Sequence, residues 1–500
     1  MEELPLEIWF LIIEYFSEED LYSFIGVNRF FFNIGLDKRY REISLDLGEV
    51  HIRKLLDRIS SEPQIASRIK KLNLHVHPTN APRPVRNTGA TPNKNRWLNP
   101  IRGAIKAVMG RIAAPQDQGP LDVDGMVAKL FILIPLMTTL EDLRIVPWAL
   151  PPTFDLDRLF EFIWETCGHK LHRVSLCANL PRYRSLLKAK PAFPLLETLE
   201  LEFSDNLFVL DPTEGDVLAN DVLPFFNRLA PQVKTLKIRS FSKLDLSPLF
   251  AEAEPFTSLH TTLIRIPFNH GLRGNPAGLK EFLVRSNTLR KVTIRLTPMG
   301  LALDPAAEEP LCSWFKDCVS SPICFSKVDT LDICPTNQPG GISLLHDCVS
   351  RTFNNLTRFT VRDRYLKVEE AVSLAGALKA CPRLTAFRLN ILQLSGATYD
   401  AFARDLPQLR FLWMSVGEPA STEPSSSTSL ETFRNYMSQR TYNDWNLWDL
   451  TIWQGGNEMD YETMLACARS IPSLRSFWGN GHMDFAPETR APTLRPAQPI

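Results

Sequence analysis

The chain has 500 residues, 44% of them hydrophobic, and its 56 Lys and Arg are matched by 56 Asp and Glu. That is ample for a large core, and the neutral balance argues against nucleic acid as a partner, because a phosphate-binding surface needs an excess of cations. No run of apolar residues has the length that spans a bilayer. The N-terminus enters a helical pattern with no basic stretch, apolar run and cleavage site ahead of it, which predicts a cytoplasmic or nuclear address. The nine cysteines are scattered and, at such an address, expected to be reduced. Cys312, Cys318, Cys324 and Cys334 lie nearest one another but lack a CxxC knuckle, so they read as small buried hydrophobes. His75 and His77, the one near pair of histidines, have no further ligands beside them to make a metal site.

The first 46 residues predict three short helices. Pro5 suits a first helical turn, Leu6, Trp9, Ile13 and Phe16 form one apolar stripe, and Ile8, Ile12 and Tyr15 form another beside it. Ser17 followed by Asp20 reads as a helix start, with Leu21, Phe24 and Ile25 turned inward. Asn28, Arg29, Phe30, Phe31 and Phe32 open a third helix, expected to end near Gly35. Helices this short bury little, so their outward apolar residues call for a partner or for the rest of the chain.

The same residues resemble the F-box. Leu4, Pro5, Glu7, Ile8, Ile12, Asp20, Leu21, Val27 and Arg29 fall on its pattern, with Phe16 at a usual Leu position and Phe31 at a usual Trp position. Asn28 stands where Cys is often found. The resemblance implies docking onto a Skp-family adaptor, and through it a cullin, by Leu4, Pro5, Ile8, Ile12, Leu21 and Val27.

Beyond this module a short pattern recurs, with apolar residues at its first, fourth and sixth positions. It starts at Ile69, Leu140, Leu171, Leu196, Val233, Leu289, Val328, Leu356, Leu384, Leu409 and Leu447, with weaker copies around Ile264 and Leu474. The fourth and sixth positions alternate as one face of a strand does. The stretches between copies, such as Phe154 to Trp164 and Val372 to Leu378, are helical in pattern. Pro231, Pro382, Pro407 and Pro472 precede copies, as where a helix ends before a strand begins. Such a series resembles the leucine-rich repeat. The fold class expected is therefore α/β, and the two resemblances imply an N-terminal three-helix F-box over 1–46, then an irregular leucine-rich-repeat solenoid over 47–480, with a curved parallel sheet inside and helices outside. The Asn that usually follows each strand is mostly missing, Asn179 being an exception, which predicts irregular loops.

One insertion breaks the series. Residues 79–118 are basic and without structure in pattern, although Trp97 to Ile112 has the spacing of a basic amphipathic helix. Such a helix would touch a membrane surface or an acidic partner, but charge runs specify function weakly and the stretch is read as a solvated insertion. Residues 418–429 read as a flexible loop, and 486–500 as a disordered tail.

On each predicted strand the fifth position faces away from the fourth and sixth. That outward row runs Asn73, Arg144, Ser175, Glu200, Lys237, Thr293, Asp332, Thr360, Arg388, Trp413 and Thr451. Together with Arg358, Arg362, Phe411, Trp448 and Trp453 from neighbouring outward positions, Arg388 and Trp413 make a cluster of the residue types that dominate protein-binding hot spots. A target protein is expected there; the structural alternative is that these tryptophans cover the terminal repeat. Nucleotide loops, metalloprotease helices and hydrolase elbows are absent from the sequence, and no cofactor is implied. The resemblance implies a non-catalytic substrate receptor of an SCF-type ubiquitin ligase. An F-box protein acting as a non-degradative scaffold is the alternative.

Overall fold

The computed structural model describes residues 5–14, 16, 18–46, 50–75, 123–147, 156–204, 214–240, 244–272, 276–296, 305–321, 323–334, 339–417, 429–454, 457–458 and 460–477. The basic stretch 79–118, residues 418–428 and the tail from 486 lie outside them. Ser429, expected in a loop, begins the helix Ser429–Ser438. The chain divides into two compact units, residues 1–195 and 196–500.

The first unit opens with the three helices α1 (Leu6–Glu14), α2 (Glu18–Phe24) and α3 (Arg29–Tyr40). Ile13, Leu21 and Phe31 are their buried centre, with Trp9, Phe16, Phe30 and Ile34 packed against it. The Pro5 carbonyl accepts the amides of Ile8 and Trp9, so Pro5 stands at the mouth of α1 without needing an amide hydrogen. Asn28 caps α3, its side chain accepting the Phe31 amide at 3.0 Å. Contrary to the sequence expectation, α3 runs through Gly35 to Tyr40. A β-carbon on Gly35 would lie 2.6 Å from Ile25 Cγ1, so this glycine is where two chain segments touch and not where the helix stops.

Four parallel strands follow in chain order: β1 (Glu42–Asp46), β2 (Lys71–His75), β3 (Asp142–Val146) and β4 (Arg173–Ala178). Strand β1, within the stretch assigned to the N-terminal module, pairs residue for residue with β2 and so belongs to the repeats. Arg68 fastens α3 to them by donating to the Asn33 carbonyl and side chain and to Asp37.

The second unit carries β5 (Thr198–Phe203), β6 (Thr235–Ser240), β7 (Thr261–Arg265), β8 (Lys291–Arg295) and β9 (Thr330–Ile333). It continues with β10 (Arg358–Leu366), β11 (Ala386–Ile391), β12 (Phe411–Val416) and β13 (Asp449–Gln454). All nine are parallel and paired in sequence order, and β14 (Asn457–Glu458) folds back antiparallel on β13. Each predicted repeat from Leu196 to Leu447 falls on one of these strands, and the copy at Leu474 contributes a single bridge from Ser476 to Asp449.

The repeat works because its positions do three different jobs. The first-position residue turns inward ahead of each strand, as Val233, Leu259, Leu356, Leu384, Leu409 and Leu447 do, all fully buried. The fourth and sixth face the covering helices in register, so that Leu331, Phe359, Phe387, Leu412 and Leu450 lie side by side in the core. The second position supplies a carbonyl that accepts two amides from the next repeat. Lys234 accepts His260 and Thr261, His260 accepts Arg290 and Lys291, and Thr385 accepts Arg410 and Phe411. Because each repeat seats on the last through this shared carbonyl, connections of unequal length leave the strand register intact.

Helices Ser247–Ala251, Pro276–Arg285, Val368–Leu378 and Gly396–Asp405 cover that apolar face. Two glycines in them predict opposite outcomes. A β-carbon on Gly278 would come within 2.9 to 3.0 Å of the Ala251 backbone, whereas one on Gly376 would meet nothing within 4 Å. Gly278→Ala is expected to destabilise by about 1–3 kcal/mol through overpacking. Gly376→Ala should stabilise by about 0.5–1 kcal/mol by restricting the unfolded chain. Urea midpoints of the two variants check both, and equal shifts of the same sign would contradict this packing.

Candidate protein-binding surfaces

On the N-terminal helices the apolar residues divide into an inner and an outer set, and Phe24, expected inside, lies between them, exposed on one side and stacked on Phe16 at 5.4 Å on the other. Trp9, Phe16 and Phe31 form the inner aromatic set, with Trp9 edge-on to Phe31 at 5.5 Å. Facing solvent are Ile8 (40% exposed), Leu11 (56%) and Val27 (62%), joined by Tyr22 and Phe32. Of the residues expected to contact an adaptor, Pro5, Ile8 and Val27 are exposed, Ile12 is half-buried, and Leu4 lies outside the described residues. Leu21 is corrected: it is fully buried against Ile13 and Phe31, so it supports the surface from below and is not part of it. Leu11, Tyr22 and Phe32, which the sequence pattern did not single out for this surface, are exposed on α1, α2 and α3 respectively, and only for Leu11 was there a sign, its place off the Trp9–Ile13 stripe of α1.

The second surface is the face of β8–β13 that the helices do not cover. Its residues follow from strand alternation: Thr330 and Asp332; Arg358, Thr360 and Arg362; Ala386 and Arg388; Phe411 and Trp413; Asp449 and Thr451. The rings of Phe411 and Trp413 lie parallel at 5.9 Å, Trp448 meets Phe411 edge-on at 5.8 Å, and the Arg358 guanidinium lies 6.0 Å from the Trp413 ring. The structure brings these four side chains together. Trp453 does not join them, because it sits two residues further along β13 than Thr451, opposite Ser415 and Glu458.

Next to this aromatic group lies a cluster of charges around the buried Asp332, with Arg295, Arg362 and Arg388 half-buried and Asp363 exposed. Arg362 Nε donates to both oxygens of Asp332, at 2.9 and 2.7 Å. Arg362 is thereby corrected from a target contact to an internal ion-pair partner. Arg295 Nη2 donates to both oxygens of Asp363 at 3.2 and 2.9 Å, and the Cys334 thiol donates to the same carboxylate at 3.3 Å. Arg388 has no carboxylate within ion-pair distance among the described residues. Burial pushes the Asp332 carboxyl up, and the charge and hydrogen bonds of Arg362 return only part of that cost. Burial, with Arg362 beside it, pushes the Arg388 guanidinium down to about 10. Arg295 and Asp363 were missed in the sequence. Arg295 occupies the residue after the sixth position, and the same place in earlier repeats holds Arg239 and Arg265, a cationic run legible once the seventh position is read as a row.

Asp363 sits where β10 shifts register, with φ of 59°, a conformation that Asn also adopts readily. Burial raises its carboxyl, but the charge and hydrogen bonds of Arg295 outweigh this and hold it below the ordinary value. A carboxyl lowered on folding contributes stability that is whole above its unfolded pKa, about 3.9, and is lost as pH falls through the folded value. Asp363→Asn should therefore narrow the gap in urea midpoint to the parent as pH is lowered below about 4. A gap that stays constant with pH would contradict the Arg295 pairing.

No disulfide joins the cysteines, and all but Cys312 are buried. Among the described residues there is no group of three or more His, Cys, Asp and Glu placed to hold a metal, and no helix long and apolar enough to cross a membrane.

No protein-family model matches the chain, and no curated protein matches it. Among solved structures it is similar to one described as the Rad7 and Elc1 complex in yeast, at 12% identity and a TM-score of 0.38, covering 75% of this chain and 86% of that one. It is also similar to a Bacteroides fragilis protein, at 14% identity and a TM-score of 0.32, covering 67% of this chain and 85% of the other.

Proposed function

We propose that this chain is a non-catalytic substrate receptor of an SCF-type ubiquitin ligase. The N-terminal helices dock a Skp-family adaptor and, through it, a cullin, while the uncovered face of β8–β13 holds a target protein. The observation that carries the reading is the split on the N-terminal helices. Trp9, Ile13, Leu21 and Phe31 close a small core, yet Ile8, Leu11 and Val27 stay in water. Large apolar side chains left out on three short helices mark a surface that a partner covers. The sequence pattern of these helices names the kind of partner, and the Trp and Arg of the second surface supply hot-spot chemistry for a target. No bond chemistry is asked of the chain. It raises the effective concentration of target lysines near the transferred ubiquitin.

The test is calorimetry of the full chain with a purified Skp-family adaptor, beside an Ile8→Asp, Val27→Asp variant. Both positions are exposed, so the variant should fold and lose binding by at least about a hundredfold, the scale of a truncated hot spot. Equal affinity of parent and variant, or none in the parent, overturns the adaptor assignment.

A further inference from the structure

The uncovered face of the second unit is unevenly balanced in charge. Over β5 and β6, Arg239 pairs with Glu200 at 2.7 Å and Glu202 at 3.6 Å, and Lys237 reaches Glu200 at 4.0 Å, so cations and carboxylates are interleaved. Over β8–β11 the pattern breaks. Among the described residues, Arg295, Arg362 and Arg388 face only the carboxylates of Asp332 and Asp363, and both are already taken by Arg295 and Arg362. One positive charge is left over, and Arg388 holds it. Arg358, at the Trp413 ring, adds another.

Two buried donors on this face also lack an acceptor, one on β8 and one on β12. Arg295 Nε and Trp413 Nε1 are both buried and have no acceptor among the described residues. Trp413 stands directly opposite Arg388 in the β11–β12 register. Buried donors are satisfied in native proteins as a rule, and a half-buried guanidinium without a carboxylate is costly to the fold on its own. Around this point the surface is also aromatic, with Phe411 in contact with both Trp413 and Trp448. A ligand that suits the whole arrangement brings an anionic acceptor for Arg388 and the neighbouring donors, and an apolar group for the rings.

We infer that Arg388, with Arg358 and Trp413 beside it, is the anchor for an acidic segment of a target protein: an Asp or Glu carboxylate seats on Arg388, and an adjoining apolar side chain of the same segment lies on the Phe411–Trp413 stack. The inference rests on the target surface proposed above and specifies the chemistry it takes. A carboxylate accepts bidentately from a guanidinium, and in a dry setting such a pair discriminates strongly against neutral isosteres. The free fork of Arg388 supplies the specificity, while the rings supply area.

The experiment is capture of the full-length chain on an array of degenerate peptides, each pool fixed at its central position as Glu, Asp, phosphoserine, Gln, Lys or Phe. The Glu and Asp pools should hold the chain at least about tenfold better than the Gln and Lys pools, the scale of one charge-assisted hydrogen bond. The preference should collapse in about 1 M salt, where the Debye length is about 3 Å. Arg388→Gln should abolish it with a melting temperature equal to or above the parent's, since the substitution removes an uncompensated charge. Arg388→Lys should keep part of it, and Trp413→Phe should keep it while weakening capture of every pool.

Uniform capture across the pools overturns the inference, as does a preference that survives Arg388→Gln or that favours phosphoserine over both carboxylates. Loss of folding in Arg388→Gln would show the residue to be structural and overturn it as well. Adaptor binding by these same variants, measured in parallel, reports separately on the N-terminal surface.

Discussion

Phe387→Ala is expected to cost about 3–5 kcal/mol, about a fifth or more of the stability of an ordinary domain. Phe387 is fully buried at the fourth position of the β11 repeat. Its ring stacks on Phe359 of the preceding strand at 5.9 Å with an interplanar angle of 6°, and Phe402 meets it edge-on at 5.7 Å. In a stack of repeats each unit is stabilised by its two neighbours, so a cavity here weakens both junctions of one repeat at once. Phe411→Ala is the control. Its ring is half-buried on the uncovered face, so its loss should cost no more than about 1 kcal/mol. Urea denaturation of the two variants decides the matter, and similar costs for both would mean that the inward and outward faces have been exchanged.

Asp332→Ala is the second large effect, expected at about 3–5 kcal/mol, because it leaves half-buried cations without their counter-charge. Asp332 is only 6% exposed and accepts both hydrogen bonds of Arg362. Without it, Arg295, Arg362 and Arg388 face only Asp363 among the described residues. The intact pair is not a source of net stability, since burial raises the Asp332 carboxyl in spite of three arginines around it. The cost lies in breaking the pair, not in lacking it. The double replacement Asp332→Leu, Arg362→Met should therefore recover most of the loss, as buried ion pairs exchanged for apolar residues usually do. Additive costs in the double variant would show that the two side chains do not act as a pair.

Local alternation wrote most of this fold into the sequence. Apolar residues at the first, fourth and sixth positions bury themselves wherever they recur, and every strand from β2 to β13 could be placed from them. Strand β1 escaped because Tyr40 takes the place of Leu ahead of Ile43 and Leu45, although all three are buried as the pattern requires. The end of α3 escaped for a different reason. Glycine is a stop signal when the backbone needs left-handed freedom, but Gly35 is selected by the close approach of Ile25, a tertiary fact. Leu21 belonged to a matched pattern, and a pattern does not say which of its members face inward.

The uncovered face was legible as a row of residue types and illegible as a circuit of charges. Asp332, Arg362 and Arg388 come from three repeats, and Arg295 and Asp363 are 68 positions apart. Which arginine is neutralised depends on register and on the shift in β10, neither of which residue spacing records. Arg358, Arg362 and Arg388 look alike in sequence, yet one rests on Trp413, one is bound to Asp332, and one has no carboxylate within ion-pair distance among the described residues.

One measurement addresses both of the proposed surfaces: affinity capture from cells with the full chain, with Ile8→Asp, Val27→Asp, and with Arg388→Gln, Trp413→Ala, quantifying adaptor, cullin and all other captured proteins. The first variant should lose adaptor and cullin and keep the remaining proteins. The second should keep adaptor and cullin and lose a subset of the others. Identical losses in both variants, or adaptor and cullin absent from the parent, would contradict the account.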